Sequence, residues 1–306
     1  MNILVTGATG FVGKNFLNYI KENNLFINDQ IILLSSKKIS GYKCILHKDY
    51  TFSKEDFIKN GIDKIDILIH IGAFSPKIKA DMNNVEKNFY NIYNTSYLLN
   101  NIVSITKKII YISTISVYDL KASLPITEQT ETNPNDIYGV SKLYSEKTIQ
   151  KYCKQKDLAC SILRLGVVYG NNDAYSGFIP TVIKKIIQHK SPEMYNGGKE
   201  IKNFIHVRDC SRVISKAVEL QTKNEIVNVV SSENLPVNQI IKKILKISKK
   251  DLEILNKEVP EKLLDIVFDN NHLLKLYGDN MLSLEQGLTD AYLYFEKKEE
   301  LLNACN

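Results

Sequence analysis

A tyrosine and a lysine four residues apart, in Tyr138-Gly139-Val140-Ser141-Lys142, are the side chains of this chain best spaced for proton chemistry. On a helix, positions i and i+4 share one face. An ammonium beside a phenol favours the phenolate, drawing the tyrosine pKa from about 10 towards the working pH of a general acid/base. The same spacing is common on helix surfaces that do no chemistry. Here a second feature stands with it: Tyr111-Ile112-Ser113-Thr114-Ile115-Ser116-Val117-Tyr118 reads as an apolar strand ending in hydroxyls. Hydroxyls at the carboxyl end of a strand sit where open α/β sheets bind their ligands.

A third feature opens the chain. The apolar run Asn2-Ile3-Leu4-Val5 leads into Thr6-Gly7-Ala8-Thr9-Gly10-Phe11-Val12-Gly13, and Phe11 to Asn24 continues at helical period. In a strand-to-helix turn of this kind Gly7 permits the tight turn. Gly10 lets backbone approach a pyrophosphate, and Gly13 lets the helix pack against the strand. Free N–H groups and the positive end of the helix dipole hold phosphates there. Glycines also serve plain turns, so the reading rests on the strand before and the helix after.

These features need elements to position them. The apolar pattern predicts strands near 2–6, 30–34, 43–47, 66–71, 108–113 and 159–165, with helices near 11–24, 53–60, 82–104 and 138–156. That alternation predicts a parallel sheet with helices on both faces. Beyond residue 170 the alternation weakens. Pro180 opens a helical run, Ser191-Pro192 and Asn196-Gly197-Gly198 mark turns, and the pieces after 235 read as short helices.

With these motifs in this order, the chain resembles the extended short-chain dehydrogenase/reductase family, in particular its nucleotide-sugar epimerases and reductases. The resemblance spans nearly the whole chain. It takes in the glycine motif, Asp66 to Ala73, Asn91-Ile92-Tyr93-Asn94-Thr95, the hydroxyl-bearing strand and Tyr138 to Lys142. Arg164 to Gly170, Gly197 to Asp209 and Leu284 to Leu288 match as well. It implies a Rossmann-type doubly wound α/β sheet from residues 1–170, with 200–230 returning to it. A smaller α/β substrate-binding lobe would come from 171–306, with the Ile205-to-Leu220 segment back at the main sheet. The resemblance also implies a homodimer joined through helices 82–104 and 138–156.

The roles follow from the resemblance, residue by residue. Tyr138 matches the acid/base, and Lys142 the residue that lowers its pKa and binds the nicotinamide ribose; a cationic nicotinamide ring would favour the phenolate further. Thr114 matches the Ser or Thr that hydrogen-bonds the substrate oxygen, whereas Ser113 and Ser116 read as strand-end hydrogen bonding. The dinucleotide would lie along Gly7, Thr9, Gly10, Phe11, Val12 and Gly13, beside Ser35, Ser36 and Lys37. Ile71, Gly72, Ala73 and Asn91 complete its expected surroundings, although Asn94 replaces the glycine of the family's N-x-x-G-T pattern. Asp49 falls where relatives contact the adenine and reads equally well as a turn residue. His206 and Asp209 match a fixed structural element of the family.

The second strand bears on the choice of cofactor. NAD sites place an Asp or Glu at its end to hold the ribose 2′-hydroxyl. This chain reads Ile31-Ile32-Leu33-Leu34-Ser35-Ser36-Lys37-Lys38, with no carboxylate. An acid would repel a 2′-phosphate, whereas hydroxyls and ammonium groups bind one. NADP is therefore the expected cofactor. The alternative is that Lys37 and Lys38 form a solvated turn and NAD is held through backbone contacts.

Departures from the family narrow the reaction. Its 4,6-dehydratases carry Asp-Glu directly after the catalytic Thr, and here Ile115-Ser116 stands there. Relatives that epimerise beside a ketone use a Cys and a His where this chain has Ser116 and Gly177. What remains needs only Tyr138, Lys142, Thr114 and a nicotinamide. The expectation is reduction of a nucleotide-activated 4-ketosugar, with a 4-epimerase holding NAD tightly as the alternative. A non-catalytic dinucleotide sensor is a third reading, set against the presence of the whole Thr-Tyr-Lys set. Of the family's three pyrophosphate anchors, Val167, Lys202 and Val259 mark the counterparts, so only Lys202 is expected to meet substrate. A lysine does not reproduce the bidentate fork of an arginine on phosphate.

Composition agrees with such an enzyme. The 306 residues are 44% hydrophobic, enough for a large core with a smaller lobe. The net charge of +6 is spread along the chain rather than clustered, which argues against a nucleic-acid binder. The five cysteines, Cys44, Cys153, Cys160, Cys210 and Cys305, follow no metal-ligand or disulfide spacing, so no metal and a reducing cytoplasm are expected. No apolar run approaches a membrane span, and the first strand begins at Asn2, leaving no signal peptide in view.

Overall fold

The computed structural model describes residues 1–119, 121–172, 177–221 and 223–304. Cys305 lies outside the described residues. In chain order the first elements are β1 (Asn2–Thr6), α1 (Phe11–Glu22), β2 (Gln30–Ser35), β3 (Lys43–Leu46), α2 (Lys54–Lys59) and β4 (Ile65–His70). Then come α3 (Lys79–Met82), α4 (Val85–Ile102), β5 (Thr106–Thr114), α5 (Ile137–Lys156) and β6 (Ala159–Leu165). The later elements are β7 (Val167–Tyr169), α6 (Phe178–Ile187), β8 (Glu193–Tyr195), β9 (Ile201–His206), α7 (Val207–Glu219) and β10 (Glu225–Val229). The last are β11 (Asn234–Pro236), α8 (Val237–Ser248), β12 (Leu255–Lys257), α9 (Asn271–Tyr277) and α10 (Leu284–Ala304).

Contacts divide the chain into two units. The first takes residues 1–119, 131–165 and 210–228; the second takes 120–130, 166–209 and 229–306. By sequence the first break falls near 170 and the returning stretch is 200–230; by contact they fall at 165 and at 210–228.

The first unit is built on a seven-stranded sheet in the order β3-β2-β1-β4-β5-β6-β10. The six strands from β3 to β6 pair in parallel. Such a sheet carries helices on both faces, so its strands are apolar throughout rather than alternating. Leu4, Ile32, Leu68, Ile109 and Ile162 are all buried there. The helix predicted near 82–104 is α4, and the short α3 precedes it. Asn84 separates the two because its side chain caps α4, accepting the Lys87 N–H at 2.9 Å. Asp136 caps α5 likewise, taking the Gly139 N–H at 2.7 Å.

The second unit holds a three-stranded sheet in the order β11-β9-β7 and a two-stranded β12-β8 pair. Its core joins α6, α8 and α10 through residues such as Ile183, Ile240, Ile244, Leu288 and Phe295. The pieces after 235 are not all short: α10 runs 21 residues, because Leu284, Leu288, Ala291 and Phe295 keep one face buried over three turns.

Candidate active site

The strand order reverses between β1 and β4, the switch point at which open α/β sheets bind ligands. The turns after these two strands touch. Gly7 has φ +73°, and a Cβ built on it would lie 2.5 Å from the Gly72 nitrogen. Thr6 Oγ1 accepts the Gly72 N–H at 3.0 Å and pairs with His70 Nδ1 at 2.7 Å. At Gly13 a Cβ would lie 2.2 Å from the Gly7 carbonyl oxygen, so α1 folds back tightly against the loop. No side chain caps α1 at Gly10. This is a cradle that side chains at the glycines would fill, and it fits the phosphates of a dinucleotide.

A recess of about 230 Å³ adjoins the cradle. Of the expected cofactor residues, Gly7, Thr9, Ser35, Ser36, Gly72 and Ala73 line it. Phe11, Val12 and Gly13 form the first turn of α1. Ile71 is half-buried, between β4 and the recess. Lys37 and Asp49 are exposed and outside the lining. For Asp49 the cause is local: Asp49 and Tyr50 have φ +51° and +60°, and Thr51 N donates to Lys48 O at 2.8 Å. A tight turn of this kind carries its tip outward. Asn91 is buried and occupied: its amide bonds Phe74 in both directions and donates to Ser141 Oγ at 3.1 Å, tying the loop after β4 to α5. His47, Tyr50 and Asn94 also line the recess, and sequence reasoning missed the first two. No signal in the sequence marked them, because it is the pairing of β3 with β2 that brings the residues after β3 beside Ser35.

The residues expected to do the proton chemistry lie on α5 and at the end of β5. Lys142 is buried; its Nζ donates to Ile112 O at 2.7 Å and stands 4.2 Å above the Tyr111 ring. Burial pushes its pKa down to about 7, against the pull of the Glu146 carboxylate. Tyr138 occupies the first turn of α5, half-buried, and its carbonyl accepts from Ser141 Oγ at 2.7 Å. Thr114 ends β5; its hydroxyl donates to Ser116 Oγ at 3.3 Å and accepts the Ser116 N–H at 3.2 Å.

A buried ion pair braces this region. Arg164 bonds both carboxylate oxygens of Glu146, at 3.0 and 2.7 Å. Ser113 Oγ donates to the same carboxylate, and Arg164 Nη1 donates to the Tyr118 hydroxyl at 2.7 Å. Ser113 is therefore a brace on one side of Thr114 and Tyr118 on the other. Glu146 escaped sequence reasoning although it stands one turn beyond Lys142.

In the second unit, Lys202 lines a separate recess of about 500 Å³ with Phe178, Tyr195, Phe204 and Val167. The Phe178 and Phe204 rings stack, with centroids 5.7 Å apart. Lys202 Nζ donates to Leu264 O at 2.8 Å, and burial lowers its pKa. Asp209 accepts the Leu282 N–H, and His206 packs edge-on to Tyr169 at 5.2 Å. Among the described residues, no group of three or more His, Cys, Asp or Glu side chains is disposed to hold a metal ion. Among them, no helix is long and apolar enough to cross a membrane.

A family model described as the NAD dependent epimerase/dehydratase family matches residues 3–229. The chain is similar to a dTDP-D-glucose 4,6-dehydratase of Dictyostelium discoideum, 27% identical over 288 residues. That match covers 86% of this chain and 62% of the dehydratase, so the chain spans less than two thirds of that relative. It is also similar to a putative UDP-glucose 4-epimerase of Methanocaldococcus jannaschii, 28% identical over 249 residues, with 78% of this chain and 79% of that one covered. Among solved structures, a UDP-glucuronic acid 4-epimerase from Bacillus cereus, in complex with UDP-glucuronic acid and NAD, superposes with TM-score 0.83. It is 25% identical, and the match covers 97% of this chain and 100% of that one.

Proposed function

The chain belongs to the NAD-dependent epimerase/dehydratase family of extended short-chain dehydrogenases/reductases, and on that premise we propose that it reduces a nucleotide-activated 4-ketosugar with NADP as its cofactor. The observation that carries this reading is the recess at the end of β2, lined by Ser35, Ser36 and His47 and by no carboxylate. An acid in that position would hold a ribose 2′-hydroxyl and repel a 2′-phosphate.

A dinucleotide whose phosphates were held at this cradle would supply the hydride from its nicotinamide. Tyr138 gives its proton to the carbonyl oxygen that becomes a hydroxyl. Lys142, held by the Ile112 carbonyl one turn beyond Tyr138 on α5, stabilises in its ammonium form the phenolate left behind. Thr114 exchanges its bond to Ser116 for one to the same substrate oxygen. Elimination of water would need carboxylates at 115 and 116. Ile115 is buried and apolar and Ser116 is a hydroxyl, so dehydration is not proposed.

The recess in the second unit supports a nucleotide-bearing substrate: the aromatic rings of Phe178 and Phe204 suit a base, and Lys202 suits a phosphate as a point charge, whereas Lys185 is already paired with Glu193 at 3.0 Å. Phe89, Tyr90, Tyr93, Val140 and Tyr144 are exposed on α4 and α5, which supports pairing with a second copy through these helices. Cys44, Cys153, Cys160 and Cys210 form no disulfide with one another, and a reducing cytoplasm is the setting proposed.

The second reading, a 4-epimerase holding NAD, is favoured by the similarity to the two epimerases. Cofactor exchange separates the two. A reductase must change its cofactor every turnover, so the protein should purify largely empty and consume NADPH one-for-one with a 4-keto nucleotide sugar. Retained NAD, with two nucleotide sugars interconverting and no NADPH consumed, would establish the epimerase instead.

A further inference from the structure

The sequence motifs leave the far wall of the cofactor recess unexplained. Parallel pairing sets Ser35 of β2 opposite Leu46 of β3, and the next residue, His47, donates its backbone N–H to Ser35 O at 3.1 Å. His47 therefore abuts the position that decides between NAD and NADP. Its ring is fixed in two ways. It packs edge-on to Tyr50 with centroids 5.2 Å apart, and its Nδ1 accepts the Tyr50 N–H at 3.1 Å. A neutral ring whose Nδ1 accepts must carry its proton on Nε2. Burial lowers the His47 pKa while Asp49 opposes, which keeps that neutral form at neutral pH. Among the described residues none pairs with Nε2. His47, Ser35 and Ser36 all line the recess, and Asp49, the one carboxylate of the turn, lies outside it.

We infer that His47 is a specificity-determining residue, its Nε2–H donating to the oxygen on the ribose 2′ carbon of the cofactor and favouring the 2′-phosphate over the 2′-hydroxyl. The inference rests on the reading that this recess holds the adenosine half of the dinucleotide. A hydrogen bond to an ionised phosphate is roughly twice as strong as one to a neutral hydroxyl, so one donor is enough to bias the choice.

Two substitutions separate this role from holding the turn. Asparagine places an amide oxygen near the Nδ1 position and nothing near Nε2, so His47→Asn keeps an acceptor for the Tyr50 N–H and loses the donor. Glutamine places its amide nitrogen near Nε2, so His47→Gln keeps the donor. Dissociation constants for NADPH and NADH are measured by cofactor fluorescence on the full chain, with thermal melts alongside. In His47→Asn the preference for NADPH should fall about tenfold while NADH affinity changes little. His47→Gln should stay within about threefold of the unmutated ratio. An unchanged ratio in His47→Asn, or an equal fall in both variants accompanied by lower melting temperatures, overturns the inference. If the unmutated protein binds neither dinucleotide saturably, the reading beneath it fails first, and the inference fails with it.

Discussion

Gly139 and Ser116 meet backbone to backbone: a Cβ at 139 would lie 2.2 Å from the Ser116 carbonyl oxygen and 2.7 Å from Pro134 Cβ. Here the first turn of α5 comes against the segment that follows β5. Tyr138 is the residue before this contact, and Thr114 stands two before Ser116. The glycine thus sets how closely the first turn of α5 packs on the segment after β5. Gly139→Ala should push α5 outward, costing roughly 1–3 kcal/mol by overpacking and lowering turnover about 100-fold through displacement of Tyr138. Denaturant unfolding and steady-state rates would check it. Wild-type turnover in a folded Gly139→Ala protein would show that the contact is not what positions the phenol.

Tyr138→Phe should leave the cofactor constants nearly unchanged while lowering turnover by about 10²–10⁴, the range for a lost general acid/base. The braces from Asn91, Glu146 and Arg164 stay in place, so the melting temperature should move little. A fully active Tyr138→Phe enzyme would remove the mechanism.

Cofactor choice is testable at Ser35, whose Oγ accepts the Lys37 N–H at 3.2 Å at the rim of the recess. The unmutated protein should bind NADPH more tightly than NADH. Ser35→Asp retains an acceptor for Lys37 but adds charge against the 2′-phosphate, and should erase or invert the preference. Tighter NADH binding by the unmutated protein would move the balance to the epimerase reading.

His70 makes acid stability testable. It is buried between Thr6 Oγ1 and Thr95 Oγ1, and burial, with Lys142 nearby, pushes its pKa down to about 3. Between that value and its ordinary 6.5, the unfolded chain binds a proton that the folded chain does not. Stability therefore rises with pH across this window and falls as pH drops from about 6.5, by up to about 1.4 kcal/mol per unit from this group. His206, lowered to about 4 by burial, adds in the same direction. Unfolding free energies from pH 7 to 5 should slope less steeply in His70→Gln. Equal slopes would show that His70 is not the titrating group.

Much of the first unit was legible in the residues because each of its signals is local. Period-2 and continuous apolar runs marked β1 to β6, and the i, i+4 spacing of Tyr138 and Lys142 already set them on one helix face. The demand for glycine at positions 7 and 13 is likewise a property of the strand-turn-helix itself, as the 2.5 and 2.2 Å approaches show.

Other features were decided by strand pairing, turn geometry and packing that apolar periodicity does not record. His47 reaches the recess beside Ser35 only because β3 pairs with β2, and Asp49 leaves it only because residues 48–51 turn tightly. Lys142 acquires its lowered pKa from burial against Ile112 and Tyr111, thirty or so positions upstream, which no spacing on its own helix records. Glu146 and Arg164 are an unremarkable acid and base in the chain, and become a buried pair because β6 lies next to β5 under α5. Periodicity determines which residues form an element and which face is apolar, since both depend on neighbours a few positions away. Which elements become neighbours, and therefore which charges lose their water, depends on the packing of the whole sheet, and that is set only in the folded chain.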